Sequence, residues 1–213
     1  PLIREDGSEP PGGSLSIMGA FFDTATMRAG GMDDLIRGQA GSMAQINDAK
    51  MIDDLNRFLE APDGLTGFSL AAINVLRGRD HGLQSYLETR AALVGDIDLS
   101  QVAPDDWSVI TSSRKVQREL ASVYDSVFDV ELWVGGLAED RLPGAQLGPT
   151  LGWIVADQFL RTRAADAGFG ELAPGIARAI RQEAEASTMS AVILRNTGVE
   201  RLQDAAFLSY GRI

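Results

Sequence analysis

Apolar residues recur at helical spacing along almost the whole chain, and no run alternates with strand period over a useful length. That periodicity restricts the fold to a mostly α class. Leu35, Ile36 and Met43 mark one face of a helix beginning near Asp33. Asp48 is placed to cap a second, with Met51, Ile52, Leu55, Phe58 and Leu59 at helical spacing and Pro62 as its stop. Ser69 caps a third over 69–82, and a fourth runs from Leu83 to Val94 and ends at Gly95. Ser113 opens an amphipathic helix toward Tyr124, and Asp129 is read as the cap of the short apolar segment ELWVGGLAE. Gly148-Pro149 opens a long helix through Leu151, Ile154, Val155, Phe159 and Leu160, since proline suits a first helical turn. Pro174 opens another, holding Ile176, Ala179 and Ile180. Residues 1–20, punctuated by Gly7, Pro10, Pro11, Gly12 and Gly13, read as a loop. There is no internal repeat, and residues 1–213 are expected to act as a single region.

Composition removes several function classes. With 30 acidic and 19 basic residues, the net charge of −11 does not suit a protein that holds nucleic acid by bulk charge. No apolar run approaches the roughly 18 residues of a membrane span. The absence of cysteine excludes disulfides, thiolate nucleophiles, iron–sulfur clusters and cysteine-bound zinc. A single histidine, His81, excludes a multi-histidine metal centre, and no calcium-type oxygen loop is evident.

The segment LAAINVLRGRDHG, residues 70–82, carries the chemistry. It begins as a nearly all-apolar helix, which predicts burial on most sides. Leu70, Ile73, Asn74 and Arg77 fall at i, i+3, i+4 and i+7 and share one face. An amide and a guanidinium set into such a helix require partners. Spacing leaves two readings open: an internal network with an Asp or Glu, or an external group that presents a hydrogen-bond site near Asn74 and an anion one turn further on. Trp107, Trp133 and Trp153 are read as core.

The string INVLRGRDHGLQSY, residues 73–86, resembles the RGRDHG segment of the animal-type haem peroxidases, the peroxidase–cyclooxygenase superfamily. FFDTATMRAGGMDDLIRGQA resembles the block just upstream in that family. DVELWVGGLAEDRLPGAQLG looks like its aspartate–tryptophan–glycine-glycine stretch. GPTLGWIVADQFLRTRAAD and RNTGVERLQDAAF follow in the family's order. The run Ala-Gly-Phe-Gly-Glu, 167–171, departs from the family's aromatic-rich pattern.

The resemblance implies a helical fold packed around haem, protoporphyrin IX iron. It gives Asn74 the role of accepting a hydrogen bond from the second ring nitrogen of the iron's proximal histidine, and Arg77 that of pairing with a haem propionate. Leu70 and Ile73 become apolar wall beside the haem. His81 is not the iron ligand in this motif and is expected in a helix-end hydrogen-bond network, with Arg79 and Asp80 as structural charges. The proximal histidine, the distal histidine and arginine, and the family's calcium loop all belong upstream of Pro1. The chain is thus expected to be the C-terminal portion of a peroxidase. It supplies no catalytic residue and no metal ligand itself, and its partner is the N-terminal portion of the same protein.

Three functions follow as expectations. One is a peroxidase that reduces hydrogen peroxide and oxidises a halide, a phenol or a similar donor. The second is a haem fatty-acid dioxygenase of the same superfamily, which needs a radical-forming tyrosine among Tyr86, Tyr124 and Tyr210. The third is an inert helical structural or binding fragment. The cysteine-free, arginine-rich composition fits a secreted bacterial member.

Overall fold

The computed structural model describes residues 2–20, 24–25, 28, 32–42, 46–56, 69–166, 175 and 178–206. No strand occurs among them, and the fold is mostly α as the periodicity predicted. The chain divides into two compact units, residues 1–45 with 167–213, and residues 46–166.

The first unit joins α1 (Ile17–Ala20), α2 (Met32–Ala40), α9 (Arg178–Ala186) and α10 (Met189–Asn196). The expected loop over 1–20 therefore ends early, because its last four residues form a helical turn. Polar contacts hold the ends of the chain together here. The Gly198 amide donates to Asp33 Oδ2 at 3.0 Å, and Gln203 Nε2 donates to the Ala40 carbonyl at 2.6 Å. The α10 helix was not foreseen; Thr188 caps it by accepting from the Ala191 amide at 3.1 Å. Pro174 and Ile176 lie outside the described residues.

The second unit holds α3 (Asp53–Asn56), α4 (Leu70–Asp80), α5 (Tyr86–Leu93), α6 (Arg114–Ala121), α7 (Leu132–Ala138) and α8 (Pro149–Ala165). Ser69, Ser113 and Gly148 cap α4, α6 and α8 as expected. Two expected caps do not form. Asp48 instead accepts from the Lys50 amide at 2.8 Å, closing a local turn before α3. Asp129 ends a 3-10 turn, and Glu131 stands at the N-terminus of α7. In both cases a short acidic side chain satisfies or borders a turn that competes with helix initiation. The expected helix from Leu83 starts only at Tyr86. There Ser85 and Glu88 form a reciprocal capping box, and Gly95 stops the helix at φ +73°.

The core of this unit is built on Tyr86, Leu87, Ile110, Leu120, Val127 and Val130. Trp107 packs against it from its half-buried position, as read from the sequence. Trp153 does not, being 43% exposed on α8. Beneath this core lies a polar buttress. The Tyr86 hydroxyl donates to Glu139 Oε2 at 3.0 Å and accepts from Arg90 Nη1 at 2.9 Å. Arg90 is anchored in turn on Asp96, at 2.7 Å. Burial, reinforced by the Glu139 charge, pushes the Tyr86 phenol above its ordinary range despite the neighbouring guanidinium.

Candidate functional site

The last turns of α4 form one wall of a cleft of about 580 Å³, a volume in the range of small-molecule and cofactor sites. Gly82 turns the chain at the end of α4 with φ +63°, a backbone conformation that glycine takes without strain. Residues 83–85 then run extended to an antiparallel bridge between Ser85 and Glu131. The Tyr86 amide, 2.9 Å from the Val130 carbonyl, extends that attachment. The opposite wall is thereby fixed: Asp129, Glu131, Leu132 and Trp133 face Asn74, Val75, Arg77, Gly78 and His81.

The structure brings Asn74 and Arg77 together on this wall, as their spacing predicted. Asn74 is half-buried, and its amide makes no hydrogen bond among the described residues. Arg77 is exposed and has no carboxylate partner among them. Its guanidinium meets the His81 ring, with Nη2 at 3.4 Å from Nε2. The internal network that spacing left open is therefore not formed among the described residues.

Burial of α4 differs from expectation. None of its residues is buried, and Leu76 is 59% exposed. Among the described elements the helix packs chiefly on α3 and α7, and the cleft opens along another face. Leu70 and Ile73 are half-buried and stand outside the cleft lining. The apolar wall comes from Val75, Leu83, Leu132 and Trp133 instead, so Trp133 is cleft rather than core.

His81 caps α4 through its backbone, whose N–H reaches the carbonyls of Arg77 and Arg79. That agrees with the helix-end position expected for it. Its ring, however, lines the cleft beside Arg77. The signal was present in the sequence: His81 is i+4 from Arg77 and i+7 from Asn74, on the same row.

Arg79 serves the scaffold. Its Nε is 2.9 Å from Glu131 Oε1, and Tyr124 Oη donates to the other oxygen of the same carboxylate. Burial would raise the Glu131 carboxyl, but the hydrogen bonds from Tyr124 and Arg79 outweigh it and hold it below its usual range. Burial and the bond to Glu131 hold the Tyr124 phenol above its own. This trio fastens the end of α4 to the start of α7, and sequence reasoning did not foresee it. No pattern links residues so far apart in the chain. No group of residues suited to hold a metal ion occurs among the described residues.

A helical scaffold with an amide and a guanidinium facing an apolar-walled cleft defines a cofactor-binding class. The chain belongs to the animal haem peroxidase family, which matches residues 2–207. Peroxinectin A of Dictyostelium discoideum is 38% identical over 183 residues, covering 86% of this chain and 33% of that protein. Human thyroid peroxidase is 36% identical over 216 residues, covering 97% of this chain and 23% of its own length. Among solved structures, peroxidase A from Dictyostelium discoideum superposes with a TM-score of 0.81 at 34% identity, over 96% of this chain and 38% of that one. The fold is that of the family, and the chain spans about a quarter to a third of the curated relatives it matches.

The family's cofactor is haem, and the residues present fit its edge. A guanidinium with no carboxylate partner among the described residues suits a propionate, and an amide with no hydrogen bond among them can accept a ring N–H. Val75, Leu83, Leu132 and Trp133 offer the apolar surface a macrocycle needs.

Proposed function

We propose that this chain is the C-terminal portion of a haem peroxidase that reduces hydrogen peroxide and oxidises a small donor such as a halide or phenol. The observation that carries the proposal is that two groups face one cleft of cofactor size: Asn74, whose amide makes no hydrogen bond among the described residues, and Arg77, whose guanidinium meets only the His81 ring and no carboxylate among them. When bound, haem supplies the redox-active iron. Asn74 Oδ1 accepts the second ring N–H of an axial histidine from the N-terminal portion, fixing its tautomer and increasing its electron donation. Arg77 holds a propionate with its planar fork and so sets the ring's position in the cleft. His81, with Nε2 3.4 Å from Arg77 Nη2, would stand beside the propionate that Arg77 would hold. The calcium loop, the distal base and the distal arginine belong to the N-terminal portion.

Two further observations support this reading. The α8 helix leaves Trp153, Val155, Phe159 and Leu160 exposed around about half of its circumference, apolar surface that the partner portion would cover. Of the tyrosines the dioxygenase reading would use, Tyr86 and Tyr124 do not line the cleft, which favours the peroxidase reading, and Tyr210 lies outside the described residues. Among the described residues no helix is long and apolar enough to cross a membrane, and an extracellular location agrees with that.

The test is haem retention in the complete protein, read from Soret absorbance after desalting. Arg77→Gln is expected to lose haem, and Arg77→Lys to recover it only in part, because an ammonium cannot make the two-point contact. Haem held as tightly by Arg77→Gln as by the parent would overturn the propionate role. The chain alone, given hemin, is expected to show no turnover above free hemin, since a peroxidase needs an axial nitrogen and a base for the peroxide proton.

A further inference from the structure

We infer that His81 and Arg77 together form a two-nitrogen seat for one carboxylate, so that ligand binding in the cleft is coupled to protonation of the His81 ring. The inference rests on the haem reading for the ligand and adds a second, titratable contact to it.

The geometry is a continuation of the stripe. Asn74, Arg77 and His81 stand at i, i+3 and i+7, and all three line the cleft. Arg77 Nη2 and His81 Nε2 lie 3.4 Å apart, so a carboxylate placed against them can take a hydrogen bond from each nitrogen. Both side chains are exposed to an incoming ligand.

The other charges around the ring leave this seat open. On its own helix, Asp80 is exposed and Arg79 is committed to Glu131. From the facing segment, Glu131 is engaged by Arg79 and Tyr124. Asp129 is then the free acid of the cleft wall, and it opposes an anion. A second positive contact at His81 offsets that opposition.

A carboxylate in the seat favours the protonated ring, because only imidazolium presents both a charge and an obligatory Nε2–H. Linkage makes the effect reciprocal: whatever the anion does for the proton, the proton does for the anion. Carboxylate affinity therefore rises as pH falls through the range where imidazoles titrate, about pH 8 to 5.

In the complete protein, the His81 ring ¹⁵N resonances are identified by their loss in His81→Gln. The probe is metal-free protoporphyrin IX, which needs no axial ligand, compared with its dimethyl ester. With protoporphyrin IX the His81 ring is expected to keep its proton to a higher pH than without it. With the ester no such change is expected. His81→Gln keeps the helix end, whose cap bonds come from the backbone, and is expected to abolish the tighter porphyrin binding at pH 6 relative to pH 8. Porphyrin that quenches Trp133 fluorescence while the His81 titration stays unchanged overturns the two-nitrogen seat and leaves the Arg77 assignment standing. Failure of protoporphyrin IX to bind in the cleft at all overturns the haem reading, and this inference with it.

Discussion

Gly135 and Gly136 sit side by side in α7, and each is required by a different neighbour. A Cβ on Gly135 would stand 2.2 Å from Tyr86 Cγ, and one on Gly136 2.6 Å from Leu151 Cγ. The Gly-Gly of the family stretch is therefore a packing requirement that lets α7 press between α5 and α8. Alanine is a better helix former than glycine by about 1 kcal/mol, yet the clash with a fully buried ring reverses that gain. Gly135→Ala is expected to destabilise the protein by about 1–3 kcal/mol, measured by urea unfolding. Unchanged stability would mean that Tyr86 can move, contrary to its anchoring by Glu139 and Arg90. Asn74 differs, because its amide makes no hydrogen bond among the described residues. Asn74→Ala in the complete protein is expected to leave unfolding midpoint and haem content near those of the parent. Peroxidase turnover is expected to fall about tenfold or more, the usual loss when an axial histidine's support is removed. Undiminished turnover would refute that role.

At the scale of the element, α8 shows how one buried acid organises a helix end. Glu139 lies between α7 and α8 and is 4% exposed. It accepts from the Thr150 amide at 3.0 Å, the Thr150 hydroxyl at 2.8 Å and the Leu151 amide at 3.2 Å, besides Tyr86. Gly148, the N-cap, has no side chain to offer the first turn, so the acid ten residues and more upstream replaces the missing cap. A Cβ on Gly148 would lie 2.3 Å from the Glu139 side chain, which is why this position has none. Glu139→Gln places an NH₂ group against donors and is expected to cost about 2–3 kcal/mol. Tyr86→Phe removes two bonds, the one donated to Glu139 and the one accepted from Arg90, and is expected to cost about 2 kcal/mol without touching the Thr150 and Leu151 amides. Hydrogen exchange at the Thr150 and Leu151 amides is the check: it speeds up in Glu139→Gln, and equal rates in the two variants would contradict the capping role.

For the molecule as a whole, the unit of residues 46–166 is closed by carboxylates held in their charged form. Asp96 is held below its usual range by the hydrogen bond from Arg90. For Glu131 and Asp140 burial acts upward, but hydrogen bonds outweigh it, from Tyr124 and Arg79 in one case and from Ser112 and Thr111 in the other. Each such group adds stability above the ordinary carboxylate range, about pH 4, and that stability is lost as pH falls through the lowered folded value. Near-ultraviolet circular dichroism is expected to show stability flat from pH 7 to about 5 and falling steeply below about 4. Asp96→Asn is expected to make that fall shallower. A profile as steep as the parent's would remove the Arg90–Asp96 pair from the cause.

The helical class, the caps at Ser69, Ser113 and Gly148, and the Asn74–Arg77 stripe were legible in the residues alone. Each depends on neighbours within a turn or two, where a period of 3.6 residues dictates who shares a face. The ordered blocks along the chain also pointed to the family before any fold was described. Contacts between distant segments were not legible. The bonds that Glu131 accepts from Arg79 and Tyr124, and Glu139 from Thr150, join residues on different elements, which no period within one helix relates. Sequence also placed α4 in the interior, because an apolar helix is buried only if something covers it, and here the cleft lies along the face where cover was expected. His81 makes the same point at one residue: its row on the helix was set by the sequence, but only tertiary structure turned that row into the wall of a cleft, because Gly82 reverses the chain and the Ser85–Glu131 bridge brings α7 to face it.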